Sequence, residues 1–439
     1  MNAENQKKPL GIWSLTSLVS GTMIGSGIFL LPAQLAKLGT VSLWSWIITT
    51  LGALFLGIIL AKVSILIPRN GGLYAYAKAG LGNFMGFQTA YTYWIAVWVS
   101  IIAVTLAMVS YLAAFFPVLS EPAPICITAI IIIWVLTFFN TLGAKPVGVL
   151  QIITTVLKII PLLAIIIVGA SHFDSSFINL QFHSDNYNYD YSLISSAAGI
   201  TLWSFIGLET ATIPYEHIEN PRRNIPLATI LGIVIASAIY IASTIVIMGI
   251  IPTNELANAT ISPFITVSQM LFGDYGKWIL IIGAVISCFG CINGLIFAQG
   301  QLTKAAADDD LFPGIFAQRN KHNMPTLGLV VTAFIQTVII LSTLFYKNYV
   351  AEFDVIVLMA SLATLIPYLY AASGSFIICK QSENQSKKGT YMLIAFLAAL
   401  YSFWVITISD NEVILHGSFL VFIGVILYSL LYEGKINND

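Results

Sequence analysis

The chain is 439 residues long, 58% hydrophobic and only 9% charged, with a formal net charge of −1. A soluble domain carries roughly 25% charged residues, so this composition excludes a soluble globular protein. The near-neutral charge gives no reason to expect a nucleic-acid partner. A mean hydropathy of +0.87 places the chain in a bilayer.

About 20 apolar residues cross a bilayer, and runs of that kind predict about twelve helices. They fall near 12–36, 43–67, 83–116, 123–141, 147–170, 193–214, 224–251, 276–303, 326–346, 352–378, 389–408 and 412–432. Fourteen of the nineteen Lys and Arg residues lie in segments on the N-terminal side, while Lys37, Lys277 and Lys347 lie on the other. Short loops rich in Lys and Arg stay in the cytoplasm, so both termini are expected there. The first apolar helix has no small-residue cleavage site and more spans follow it, so no cleavable signal peptide is expected.

Helix one contains "SGTMIGSGIFLLPA" (20–33), three glycines and two serines in an otherwise apolar run. No strand precedes Gly21, and the stretch lacks both a G-K-[ST] tail and a G-x-G-x-x-G spacing, which excludes a phosphate loop. Two readings remain. Gly21 and Gly25 could form a small-residue face that a neighbouring helix approaches closely. Alternatively, the chain unwinds near Met23 to Gly27 and leaves backbone N–H and C=O groups free at mid-membrane, which only a ligand, water or protein could satisfy. The second half-helix, from Ile28, would then point a positive dipole end at a carboxylate.

Helix two carries Lys62 near its cytoplasmic end, where it can snorkel to the interface. Helix five carries Lys158, whose ammonium group needs a partner inside the membrane. The unwound carbonyls of helix one are natural candidates; a water-filled vestibule is the alternative. Helix six, "ITLWSFIGLETATIP" (200–214), supplies a second interruption through Gly207, Glu209 and Pro214. Breaks in helices one and six divide the chain into two five-helix repeats, about 12–170 and 193–378, with two further helices at about 389–432. Helix eight holds Cys288-x-x-Cys291, which has neither a second pair nor a histidine partner and is expected to pack as ordinary small apolar residues. The five histidines are scattered, and no Ser/His/Asp or metal-ligand constellation emerges. Neither an enzyme, a metal site nor a cofactor is expected.

"GSGIFLLPA" (25–33), "GGLYAYA" (71–77), "LWSFIGLETA" (202–211), "ENPRRNIPLA" (219–228) and "GQLTKAAADDDLFP" (300–313) resemble the amino acid–polyamine–organocation (APC) superfamily over essentially the whole chain. The likeness is to its basic amino acid/polyamine antiporter branch, the arginine/agmatine and ornithine/putrescine antiporters. It implies an all-α polytopic membrane protein with a LeuT-like arrangement of two inverted five-helix repeats and broken helices one and six. By the same resemblance, the backbone from Met23 through Gly25 and Gly27, with Ser26, binds a substrate carboxylate. Carbonyls near Trp203 and Ile206 receive its α-ammonium group, and Ala96, Val97 and Leu295 complete the pocket. Tyr93, Trp203 and Tyr368 match gating aromatics, and Glu209 matches the family's acid sensor. Lys158 is similar to a lysine of proton-coupled members and argues for proton coupling.

This chain departs from the arginine/agmatine pattern in having Ile101 for an asparagine, Leu295 for a stacking tryptophan and Ala360 for a serine, so guanidinium-specific recognition is not expected. The resemblance implies an inner-membrane transporter of an amino acid or amine, either exchanging a basic amino acid for its decarboxylated amine or importing a broader set with protons. The bilayer and protons are the other expected partners, and a homodimer is one more that the resemblance admits.

Overall fold

The computed structural model of the chain describes residues 8–178, 187–259, 262–345, 349–382 and 387–436, with side chains excepted at 187–190, 345–361 and 432–436. Among the described residues the chain is helical, and a single parallel bridge between Leu10 and Ile218 is its only β pairing. Helix one is two pieces, α1 (Ile12–Met23) and α2 (Leu31–Ala36), with a short 3₁₀ turn at Gly27–Phe29 between them. Helix two is α3 (Trp44–Leu66), followed by a short helix α4 (Leu73–Leu81) that the hydropathy pattern misses because it is too short to span. Helices three to five are α5 (Asn83–Leu112), α6 (Pro122–Thr141) and α7 (Ala144–Gly169).

The sixth span begins as α8 (Tyr187–Leu202) and then breaks into 3₁₀ turns at Trp203–Phe205, Thr210–Thr212 and Tyr215–His217. After it come α9 (Pro221–Met248), the short α10 (Thr253–Ala257) and α11 (Pro263–Asp308), which bends at Gly273, where φ is +65°. That bend separates a non-spanning segment from the helix expected at 276–303. α12 (Thr326–Ser342), α13 (Tyr349–Gln381), α14 (Lys388–Ile408) and α15 (Asn411–Ile436) complete the bundle.

Among the described residues ten helices are long and apolar enough to cross a membrane, and with the broken helix one and the 17-residue α12 they make twelve. α12 is about 26 Å long at 1.5 Å per residue, short of a ~30 Å core. A 3₁₀ turn at Thr343–Phe345 extends it.

The most apolar windows of α11 and α13 are 72% buried, those of α6 and α14 28%, and that of α15 22%. The first two therefore form the centre of the bundle and the last three face lipid, as exposed Phe138, Phe396, Phe403, Phe419 and Phe422 indicate. Lipid is as apolar as leucine, so tight packing rather than water exclusion must hold the centre together. Gly21 illustrates this: a Cβ there would collide with Thr155 and Gln151 of α7. The small-residue reading of the opening motif is thus correct at Gly21, one turn before the break. Lys62 lies with its ammonium group 4.7 Å from the Tyr391 ring centroid.

Candidate substrate site

α1 stops at Met23. Ile24 has φ −79° and ψ 87°, outside the helical region. Ile24 N–H still donates to Ser20 O, but Gly25 N–H turns back to Met23 O at 3.0 Å. The next bonds from this strand of backbone are those of Phe29 and Leu30, to Ser26 O and Gly27 O. The N–H groups of Ser26, Gly27 and Ile28 therefore head the second half-helix without a backbone acceptor among the described residues, as the first N–H groups of any helix do.

The carbonyls freed on the other side of the break are taken up by neighbouring helices. Lys158 Nζ of α7 donates to Gly21 O (2.8 Å), Ile24 O (2.7 Å) and, on α11, Ser287 O (3.0 Å). Ser287 Oγ donates to Ile24 O and Gly25 O, and Cys291 Sγ to Thr22 O at 3.0 Å. Lys158 is 0% exposed, so it occupies a protein seat and not a vestibule. All three of its proton-donating directions are used. Cys291 is free and buried, and beyond packing its thiol closes one freed carbonyl and its side chain lines the cavity described below.

In helix six, α8 ends at Leu202 and Ile206 is extended (φ −63°, ψ 130°). Gly207 follows at φ +106°, a conformation that costs residues with a Cβ roughly 1–2 kcal/mol. A Cβ on Gly207 would also lie 2.8 Å from Thr22 Cγ2 of helix one. The two breaks thus pack against each other directly. Most helix-six carbonyls are engaged: Ser204 O accepts from Tyr240 OH at 3.0 Å, and Gly207 O from Thr210 N–H and Oγ1. Ile206 O has no partner among the described residues.

Between the breaks lies a cavity of about 40 Å3 lined by Met23, Gly25, Ser26, Gly27, Trp203, Ile206 and Leu295, all expected from the sequence. Ala96 and Val97 are buried but do not line it. Their places are taken by Ser100 and Val104 of α5, one and two turns beyond Ala96 on the same helical face. Ser204 was not expected at all. It lines the cavity with a buried hydroxyl that has no hydrogen-bond partner among the described residues, and nothing in its local pattern distinguishes it from other serines in apolar helices. Ile101 is buried away from the lining, and Ala360 falls among the residues whose side chains are outside the description.

Three of the five expected gate and proton residues meet at one point. Tyr93 OH of α5 donates to Glu209 Oε1 at 2.8 Å, and Tyr368 OH of α13 to Oε2 at 2.6 Å. Glu209 is 0% exposed and both tyrosines 2%. Each carboxylate oxygen therefore has one phenol donor, which ties the helix-six break to α5 and α13.

The N-terminal face below the cavity is closed by ions. The Glu216 carboxylate is held by Lys304 of α11 and, at 3.4 Å, by Asn323, while Glu216 N–H donates to Asn70. Asp309 accepts from Arg69 (2.5 Å) and Tyr74 OH (2.9 Å), with Lys78 at 3.0 Å. Leu10 exchanges backbone hydrogen bonds with His217 and Glu219. Burial alone would raise both carboxyl groups, but Lys304 at Glu216, and Lys78, Tyr74 and Arg69 at Asp309, outweigh it and hold them below the usual range. Burial pushes the His217 ring down to about 4.

Among the described residues, ten long apolar helices, the broken helix one and the shorter α12, with two interruptions packed around one small cavity, define a polytopic membrane protein. The chain matches the family model described as amino acid permease over residues 10–428 and belongs to that family. It is 33% identical to the putrescine transporter PotE of Escherichia coli strain K12 over 431 residues, 98% of this chain and 97% of the relative. The PotE protein of Haemophilus influenzae is 32% identical over 434 residues, 98% of each chain. The cadaverine/lysine antiporter of Escherichia coli strain K12 is 33% identical over 368 residues, 83% of this chain and 82% of the relative.

Proposed function

We propose that the chain is a secondary active transporter that exchanges a basic amino acid for its decarboxylated amine across a bacterial inner membrane, by alternating access. The observation that carries this reading is the pair of unlike backbone surfaces facing one cavity. The N–H groups of Ser26, Gly27 and Ile28 suit a carboxylate, and Ile206 O, with the Ser204 hydroxyl, suits an α-ammonium group. Trp203, partly exposed at the same cavity, covers the side chain. Preference for a linear cation draws support from the relatives, named for putrescine and for cadaverine and lysine, and from Leu295, which offers no ring on which a guanidinium could stack. The bias of basic residues supports cytoplasmic termini. The matching breaks support two inverted repeats, 12–170 and 193–378. Closure of the N-terminal face then corresponds to a carrier shut toward the cytoplasm.

Proton-coupled uptake of a broader set of amino acids is the second reading, and Lys158 favours it. Its ammonium group holds two helix-one carbonyls and one on α11 together, the place where a coupled ion would act on the break. Counterflow in proteoliposomes separates the two. Labelled lysine, ornithine or cadaverine entering only against internal substrate supports exchange, and entry driven by a pH gradient alone supports symport. Binding without flux would overturn both.

A further inference from the structure

A second cavity, of about 270 Å3, lies on the opposite face of the bundle from the ion pairs, where α14 turns into α15. Trp203 and Ile206 line it as well as the central cavity, so the indole forms a partition between the two. Its walls are mainly apolar, with Leu365 and Val405 among them. Ser196 and Asp410, both exposed, also belong to it. Asp410 is the one ionisable residue in the lining, and among the described residues its carboxylate has no ion-pair partner.

An apolar wall with one carboxylate is a poor seat for an anion or a neutral zwitterion. It matches a methylene chain ending in an ammonium group. Such a seat answers a specific need of the exchange reading, because a diamine has no carboxylate to offer the helix-one N–H groups. The other acid near its route, Glu209, is buried and already held by two tyrosines. A diamine approaching from this side therefore meets its first counter-charge at Asp410.

We propose that this cavity is an external subsite in which Asp410 receives the ammonium group of an alkyl amine or basic amino acid, before the Trp203 ring admits it to the central site. The inference rests on the cationic-substrate and orientation readings above and adds a second site to them. Asp410 also directly precedes α15, where an aspartate commonly caps a helix. Asparagine caps equally well, so D410N removes the charge and keeps the cap.

The test uses the full chain with S196C added, in proteoliposomes. The four native cysteines are buried, so external N-ethylmaleimide, which is uncharged, reports on position 196. External cadaverine should slow this labelling; D410N should remove most of the protection and D410E restore it. For an exposed charge pair worth up to about 1 kcal/mol, D410N should also raise the external KM for cadaverine roughly 3- to 5-fold, with the internal KM unchanged. Cadaverine transport with equal protection in wild type and D410N, or with none in either, overturns the subsite and leaves the exchange reading standing. Asp410-dependent protection without transport of any cation upholds the subsite and overturns that reading. Neither protection nor cation transport overturns both.

Discussion

Trp203 is the one aromatic residue that touches both cavities, and its proposed task is to cover a cation. A ring over an ammonium group contributes about 0.5–2 kcal/mol depending on its exposure to water. W203L should therefore raise KM for lysine or cadaverine roughly 10-fold while the protein elutes and melts as wild type does. Unchanged uptake kinetics in a well-folded W203L protein would remove the ring from the site. Glu209 lends itself to a different prediction, because a glutamine in its place keeps one phenol-to-oxygen hydrogen bond and reverses the other, its amide N–H donating to that phenol oxygen. E209Q should keep substantial exchange yet flatten its pH profile, measured by counterflow between pH 5 and 8. An unaltered profile would mean that the carboxylate is only a structural tie. Trp203 and Glu209 were legible in the sequence, since both stand beside a break and within a resembling motif; Tyr93 and Tyr368 lie in uninterrupted helices outside those motifs and were named only by their match to gating aromatics. Ser204 and Ser100 were not, because a serine's role in a span depends on which backbone groups its neighbours leave open.

At the scale of the element, glycines located both interruptions but not the reason for each glycine. Gly207 alone, among those at the breaks, has positive φ. G207A should abolish substrate binding, because the methyl group adds roughly 1–2 kcal/mol of backbone strain to a 2.8 Å collision with Thr22. Gly25 and Gly27 differ from it and from each other. A Cβ on Gly25 meets Cys291 Sγ at 3.0 Å, whereas one on Gly27 has Trp203 Cδ1 at 3.9 Å as its nearest neighbour, an ordinary contact. G25V should thus lose binding and G27A keep it within a few-fold, as isothermal titration with lysine would measure. Equal losses in both would show that the open N–H surface tolerates no side chain at all. The length and order of the spans were readable from hydropathy. The short helices α4 and α10 were not, since neither spans and both depend on the turns that precede them.

At the scale of the whole molecule, three fragments that served only as points of resemblance prove to meet on one face. Tyr74 comes from "GGLYAYA", Asp309 from "GQLTKAAADDDLFP" and Glu219 from "ENPRRNIPLA", and around them stand the pairs Glu216–Lys304 and Asp309–Arg69. No local pattern predicts this meeting, because the partners lie up to 240 residues apart. These contacts join the segment after the helix-six break to α11, and α11 to α4, so on the proposed orientation and alternating-access reading, opening toward the cytoplasm would break them.

Their dependence on pH has a definite sign. Glu216 and Asp309 titrate lower in the folded protein than when unfolded. Their stabilisation is therefore full above about pH 4.5 and is lost as the pH falls through the lowered values. His217 is pushed from 6.5 to about 4 by burial, so the unfolded chain binds the extra proton between those values. Its contribution is full above about pH 6.5 and is lost on acidification toward 4, by at most about 3 kcal/mol. Both effects weaken the closed face in acid. The melting temperature in detergent should fall from pH 6.5 to 4, and H217Q should flatten the upper part of that fall while leaving the decline below pH 4.5. D309N, which removes a charge from a partly exposed cluster, should keep the fold and speed cytoplasmic-side labelling of a cysteine placed at Tyr74. E216Q leaves Lys304 buried without its counter-charge, a change that costs about 3–5 kcal/mol at buried pairs. It should melt far lower than D309N. A melting temperature that stays flat between pH 6.5 and 4, with labelling unchanged in D309N, would show that these pairs do not hold the face shut.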